Sequence, residues 1–361
     1  MKKLIIFLSL INVAFIFAQA GAPAVYYNGI NWTQTGTTLK TALANKITTT
    51  HINFLSYGEI WNASKITDLD PSNSNNVLLI YGWENGTDTD VTNDLTRNKN
   101  SNSGDNGDWN REHVFAKSLG TPALDDGGSS DAGEDAHHLR ASDVQRNNNR
   151  GSLRFASGSG NSGTVTGGWY PGDQWKGDVA RMMMYMYLRY GTQCLPKNVG
   201  AVGLPTVTTD TNMIQLFLQW NVDDPVSAYE DARNTYHGST STYAQRNRNP
   251  FIDNPYLATV IWGGPVAENR WPNIFLSTED FDALANIMVY PNPSNNHRIN
   301  ISSEVIVDEI QLININGQIM QQIKNPAFND NTFTLENLNS GFYFLKLSSD
   351  NQLVTKKVIV N

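Results

Sequence analysis

The chain has 361 residues, 40% of them hydrophobic and 17% charged, with a formal net charge of -8. That length accommodates one large domain plus a smaller one, and the apolar content supports a genuine core. The acidic balance excludes a generally basic nucleic-acid-coating protein while leaving room for a local basic groove, and the single Cys194 excludes an intramolecular disulfide.

Residues 1–20 read as a signal peptide. Lys2 and Lys3 form a basic start, Leu4 to Phe17 is almost entirely apolar, and Ala18-Gln19-Ala20 is a small-x-small cleavage site. The apolar run is shorter than the ~20 residues that a membrane span needs. The expected mature chain is therefore exported and soluble, with no membrane span. Leu39, Leu43 and Ile47 recur at helical spacing and predict a helix. Val77-Leu78-Leu79-Ile80-Tyr81 predicts a buried strand. Residues 84–108 form a polar stretch predicted as a solvated loop, whose aspartates fit no EF-hand spacing.

Next comes Trp109-Asn110-Arg111-Glu112-His113-Val114-Phe115, and later Asp143-Val144-Gln145-Arg146-Asn147-Asn148-Asn149-Arg150-Gly151. Residues 120–134 between them are predicted as a second loop. Ser142 is the expected N-cap of a short helix from Asp143, which Gly151 ends. Asp143, Asn147 and Arg150 would then share one face. The two segments combine a carboxylate, an imidazole that titrates near neutrality, a carboxamide and guanidinium groups. Hydrolysing a phosphodiester requires an activated water, neutralised charge on phosphorus and a stabilised leaving oxygen. His113 suits the base, since its ordinary pKa lies near ~6.5. Glu112 and Asn147 are oxygen ligands suited to Mg2+, with Mn2+ or Ca2+ as substitutes. If the pair lies on a strand, Glu112 and His113 point to opposite sides. Zinc is disfavoured because the chain lacks HExxH. His137 and His138 are adjacent, so at least one is expected to be a structural hydrogen-bonding residue. Arg140, Arg146, Arg150 and Arg154 form a basic run, read as a phosphate groove. Arg111 and the first two of that run are the candidate substrate-binding arginines.

Gly177 to Gly191 predicts a largely buried helix with Asp178 in its first turn. Arg181 must be paired if buried, either bracing a carboxylate near the site or touching substrate phosphate. With His113 and Arg150 it completes the candidate catalytic set. Cys194 reads as a buried thiol. Helices are predicted over Met213 to Trp220 and Ser227 to Tyr236. The composition changes near Thr278. Strands are then predicted over Ile299–Ile301, Ile306–Ile313, Ile319–Ile323, Thr332–Leu335, Gly341–Leu347 and Leu353–Val360, as in a small all-β sandwich with its own core.

Four blocks together resemble the bacterial extracellular endonuclease I family. They are Asp108 to Ser118, Asp135-Ala136-His137-His138-Leu139-Arg140-Ala141-Ser142-Asp143, Gly177-Asp178-Val179-Ala180-Arg181 and Asn247-Arg248-Asn249-Pro250-Phe251-Ile252-Asp253. They stand in the family's order within residues 24 to 270. The resemblance implies an α+β fold: a ββα-metal (His-Me finger) nuclease domain with a mostly helical surround. It implies endonucleolytic cleavage of DNA, RNA or both that leaves a 5′-phosphate. His113 would be the general base, Glu112 and Asn147 the Mg2+ ligands, and Arg150 would lie near the scissile phosphate. Phe115-Ala116 and Ala141 depart from the family pattern without removing a ligand. The tail resembles the C-terminal sorting domain of type IX secretion cargo, through Val289-Tyr290-Pro291-Asn292-Pro293, Leu338-Asn339-Ser340-Gly341-Phe342-Tyr343 and Lys356-Lys357-Val358-Ile359-Val360. That implies secretion through the periplasm by the type IX machinery. The expected organisation is signal peptide 1–20, nuclease domain 21–275, linker 276–286 and sorting domain 287–361, as a monomer. Two other readings stand beside it: a non-catalytic extracellular nucleic-acid-binding or adhesive protein, and a phosphodiesterase for small substrates.

Overall fold

The computed structural model describes residues 24–84, 86, 88–128, 131–201, 210–275, 287–349 and 352–361. The signal peptide expected at 1–20 and the linker expected at 276–286 lie outside the described residues. The chain divides into two compact units, Met1–Ile274 and Phe275–Asn361.

The first unit opens with helix α1 (Gly36–Thr50), whose Leu39, Leu43 and Ile47 are fully buried at the predicted spacing. Helix α2 (Ile60–Thr67) follows, then an antiparallel sheet of β1 (Leu69–Asp70), β2 (Asn73–Leu78) and β3 (Thr96–Asn98). The predicted strand over 77–81 is displaced towards the N-terminus. Leu79, Ile80 and Tyr81 are buried beyond its end, with the Ile80 amide bonded to the Ala141 carbonyl at 2.8 Å. The stretch 84–108 is not one solvated loop, because β3 within it pairs with β2.

The centre of the unit is a strand pair with a helix directly after it. Strand β4 (Trp109–His113) pairs antiparallel with β5 (Leu139–Asp143), in a register that sets Asn110 opposite Ser142 and Glu112 opposite Arg140. Helix α3 (Val144–Arg150) starts at once, because Asp143 accepts hydrogen bonds from the amides of Gln145 and Arg146, both at 2.9 Å. The cap is thus Asp143, one residue later than expected; Ser142 is buried within β5. Gly151 ends the helix at φ 50°, a conformation that disfavours any residue with a Cβ. A small hairpin, β6 (Gly163–Val165) and β7 (Gly168–Tyr170), precedes α4 (Lys176–Tyr190), which is buried along most of its length. Around these pack α5 (Pro196–Val199), α6 (Gln215–Asp223), α7 (Ala228–His237), α8 (Pro250–Asp253) and α9 (Tyr256–Trp262). A capping box of Ser227 and Glu230 starts α7. Cys194 is buried, as expected. No helix among the described residues is long and apolar enough to cross a membrane.

The second unit is all-β. One sheet has β12 (Thr332–Leu335), β9 (Ile299–Ser302) and β8 (Met288–Tyr290) in that order. The other has β11 (Ile319–Lys324), β10 (Glu309–Asn314), β13 (Gly341–Ser349) and β14 (Gln352–Val360). Alternate residues of the strands, including Ile299, Ile301, Ile310, Leu312, Leu345 and Leu347, close one apolar core. Strand β8 was not expected, and the strand predicted from Ile306 begins at Glu309.

Candidate active site

Alternation along β4 sorts its side chains into two sets. Asn110 and Glu112 face α3: Asn147 Nδ2 donates to Asn110 Oδ1 at 2.7 Å, and Arg150 Nη1 lies 3.1 Å from Glu112 Oε1. Trp109, Arg111 and His113 face the other way. Trp61 packs edge-on against Trp109, the Arg111 guanidinium lies 3.5 Å from the Tyr57 ring centroid and 4.2 Å from that of Trp61, and Tyr57 stacks on His113. Glu112 and His113 thus leave the strand on opposite sides. At its end both line a cleft of about 260 Å³, shared with Arg111, Lys117, Asn147 and Arg150.

The imidazole is held in one tautomer. His113 Nε2 is 2.8 Å from the Gly133 carbonyl oxygen, which can only accept, so Nε2 carries the hydrogen and Nδ1 the lone pair. Among the described residues Nδ1 has no protein partner. Burial, reinforced by the neighbouring His138, holds the His113 pKa down to about 3 against the Gly133 bond. The ring is therefore neutral at physiological pH, with Nδ1 unprotonated. The supporting loop is itself pinned. A Cβ on Gly133 would lie 2.0 Å from the Asp125 carbonyl oxygen, and the adjacent Ala132 carbonyl accepts from His138 Nε2 at 2.8 Å.

Glu112 is 2% exposed. Burial raises its pKa to about 7, opposed by Arg150 and by the Tyr81 hydroxyl, which donates to Oε1 at 3.0 Å. Tyr81 makes that contact from a left-handed backbone at φ 75°, a conformation costly for a bulky residue and retained where surrounding structure demands it. Among the described residues, Glu112 Oε2 and Asn147 Oδ1 take no protein hydrogen bond. Two unclaimed hard oxygens on one cleft wall fit a divalent cation that keeps most of its waters. No group of three or more His, Cys, Asp or Glu among the described residues could hold a metal.

The arginines separate sharply, and several expectations need correcting. Arg140 has no exposed surface; it is bound to Asp178 at 3.0 Å and to the Tyr229 hydroxyl at 2.7 Å, and lies 3.4 Å from Asp68. Arg181 is equally buried, with Nε and Nη2 on the two oxygens of Glu230 at 2.6 and 2.8 Å. Neither guanidinium can reach a bound phosphate without opening the core, so Arg140 is no substrate-binding residue and Arg181 no catalytic one. Arg146 turns away to the Thr92 carbonyl and Ser162 and lies over Trp83, so it too fails as a substrate contact. Arg150 does line the cleft, but at 1% exposure its Nη atoms hold Glu112 and the carbonyls of His113 and Val114. It braces the end of β4. Arg111 lines the cleft with no carboxylate within ion-pair distance among the described residues, and its Nε is buried without a partner. Asp143 caps α3 and pairs with Arg97, so it does not share the Asn147 face. Both His137 and His138 are structural, bonded to Asn247 and to the Ala132 carbonyl. Sequence reading missed Asn110, Tyr57, Tyr81 and Gly133; of these only Asn110 lay within a segment singled out for its chemistry, while Tyr81 and Gly133 lay in segments read as a buried strand and a loop.

A strand pair runs directly into a helix, and an imidazole shares a cleft with a buried carboxylate at their junction, an arrangement of the ββα-finger class. Comparison with known proteins agrees. The Endonuclease I family matches residues 35–256, and the secretion system C-terminal sorting domain matches residues 288–361. An extracellular ribonuclease of Bacillus subtilis (strain 168) is 40% identical over 270 residues, covering 70% of this chain and 84% of the relative. An extracellular ribonuclease of Bacillus amyloliquefaciens is 40% identical over 245 residues, covering 63% of this chain and 75% of the relative. The chain belongs to the Endonuclease I family; it is a secreted nuclease that carries a sorting domain at its C-terminal end.

Proposed function

We propose that the chain hydrolyses phosphodiester bonds within DNA, RNA or both, with little sequence preference, and leaves 5′-phosphates. One hard divalent cation, Mg2+ or in its place Mn2+ or Ca2+, would be held by Glu112 Oε2 and Asn147 Oδ1. When bound, such an ion neutralises phosphate charge and stabilises the leaving oxygen. His113 Nδ1 takes a proton from the attacking water, while the Gly133 carbonyl keeps the imidazole in the tautomer that can accept it. Tyr81 and Arg150 hold the Glu112 carboxylate, and Arg150 adds positive charge beside the cleft. Arg111, stacked on Tyr57 and Trp61 without a carboxylate, is the guanidinium placed to take a substrate phosphate. The two Bacillus relatives, both extracellular ribonucleases, support RNA as one substrate. The C-terminal unit would be read by the type IX secretion machinery.

The observation that carries this reading is that His113, with its Nε2 engaged by the Gly133 carbonyl, lines one cleft together with Glu112 and Asn147. The test is cleavage of plasmid DNA and of a long RNA, with Mg2+ and with EDTA. Wild type should degrade at least one substrate only with the ion, and His113→Ala should fall by about 10²–10⁴-fold, the usual contribution of general-base catalysis. Binding without cleavage, unchanged by EDTA, would instead establish the non-catalytic reading.

A further inference from the structure

The geometry points to Asn110 as a positioning residue for the metal-binding carboxamide of Asn147; we infer that it decides which end of that amide faces the cleft. This deepens the proposed function and rests on its assignment of Glu112 and Asn147 as ligands. An asparagine side chain is nearly symmetric in shape and can present either its oxygen or its NH2. Only the oxygen ligates a hard cation, so a cation site built on asparagine needs a device that selects the rotamer. The pairing across β4 and α3 supplies one. Asn147 Nδ2 donates to Asn110 Oδ1 at 2.7 Å, and Asn147 Oδ1 has no protein partner among the described residues while its residue lines the cleft. Asn110 itself does not line the cleft, so it acts through Asn147 and not on the substrate.

The arrangement is doubled along the strand. Two residues on from Asn110, Glu112 meets Arg150, which stands three residues on from Asn147. Each proposed ligand is thereby tied across the strand–helix interface. Glu112 uses one oxygen for the tie and keeps the other; Asn147 uses its nitrogen and keeps its oxygen. Such outer contacts orient metal ligands, and their loss costs about 10–100-fold in metal affinity or activity.

The test is Mn2+ affinity, read by electron paramagnetic resonance of the full chain, with thermal unfolding of each metal-free variant as a check on folding. Asn110→Leu removes the acceptor and should weaken Mn2+ binding by about 10-fold or more, within that range. Asn110→Asp can only accept, so it should bind Mn2+ at least as well as wild type. In an Asn147→Ala background Asn110→Leu should have no further effect, because a residue that acts only through another is silent once that other is gone. Should Asn110→Leu fail to fold, Asn110→Ala serves in its place. Equal loss in both backgrounds, or wild-type affinity in the leucine or alanine variant, overturns the inference. If Glu112→Gln and Asn147→Ala weaken Mn2+ binding and Asn110→Leu does not, the inference alone fails. If those two also leave binding unchanged, the ligand assignment in the proposed function fails with it.

Discussion

Gly133 shows how one backbone atom can govern an imidazole. Its carbonyl selects the His113 tautomer, and it can approach only because no Cβ stands between it and the Asp125 carbonyl. Gly133→Ala must push the loop outwards. We expect kcat to fall by about 10² or more, the penalty usual for misplacing a catalytic group by about an ångström, with Mn2+ affinity unchanged because the loop carries no ligand. Wild-type kcat in that variant would remove the carbonyl from the account. That Glu112, His113 and Asn147 belong to one cleft was legible because three different chemistries stood close in sequence. The arginines were not. Arg111 and Arg140 are both strand residues flanked by mixed neighbours, yet one lines a cleft and the other is sealed against Asp178, 38 positions away, and Tyr229, 89 positions away. Local pattern carries no trace of such distant partners, so a run of charge was read as a surface groove when most of it is internal bracing.

At the scale of elements, the register between β4 and α3 decides whether the two oxygens meet. Asp143 sets that register, because its carboxylate both starts α3 and pairs with Arg97 of β3. Asp143→Ala should cost about 1–2 kcal/mol from the cap alone, and more because the Arg97 guanidinium loses one of its two carboxylates. The same variant should weaken Mn2+ binding, since the start of the helix carries Asn147 with it. Calorimetry and Mn2+ titration of one sample would check both, and lower stability with unchanged binding would separate the cap from the site. The helices α1, α4 and α7 were readable from periodicity and from end signals such as Gly191 and Ser227. Strands β3 and β8 were not, because three residues are too few to display alternation. Strand β2 was misplaced because its pairing half is polar and exposed, whereas the apolar run beyond it is buried without being strand.

Across the whole molecule, five of the six histidines have pKa values pressed below the ordinary 6.5: His51, His113, His137, His138 and His237, each first through burial. A histidine neutral when folded but protonated when unfolded stabilises the fold fully above pH ~6.5 and loses that contribution as pH falls towards its folded value. For His137, held down to about 4, that window runs from about 6.5 to 4. Buried carboxyls such as Asp178, raised to about 7 by burial and by Glu230, act in the opposite sense, so the total curve is a compromise. A difference isolates one site. The stability of wild type relative to His137→Gln should decline by up to about 1.4 kcal/mol per pH unit across that window, measured by urea unfolding at several pH values. Parallel curves would mean that His137 does not titrate with folding. The division into a mixed nuclease unit and an all-β sorting unit was legible at this scale, because composition shifts and hydrophobic alternation are long-range averages that survive local misreadings.

The proposed chemistry requires one divalent ion on Glu112 and Asn147, in the cleft that His113 also lines. The most direct measurement is anomalous diffraction from crystals of His113→Ala soaked with Mn2+ and a short oligonucleotide. One strong manganese peak is expected, bonded to Glu112 Oε2 and Asn147 Oδ1, with a phosphate oxygen on the same ion. A manganese site elsewhere, or a bound phosphate with both side chains turned from the metal, would contradict it.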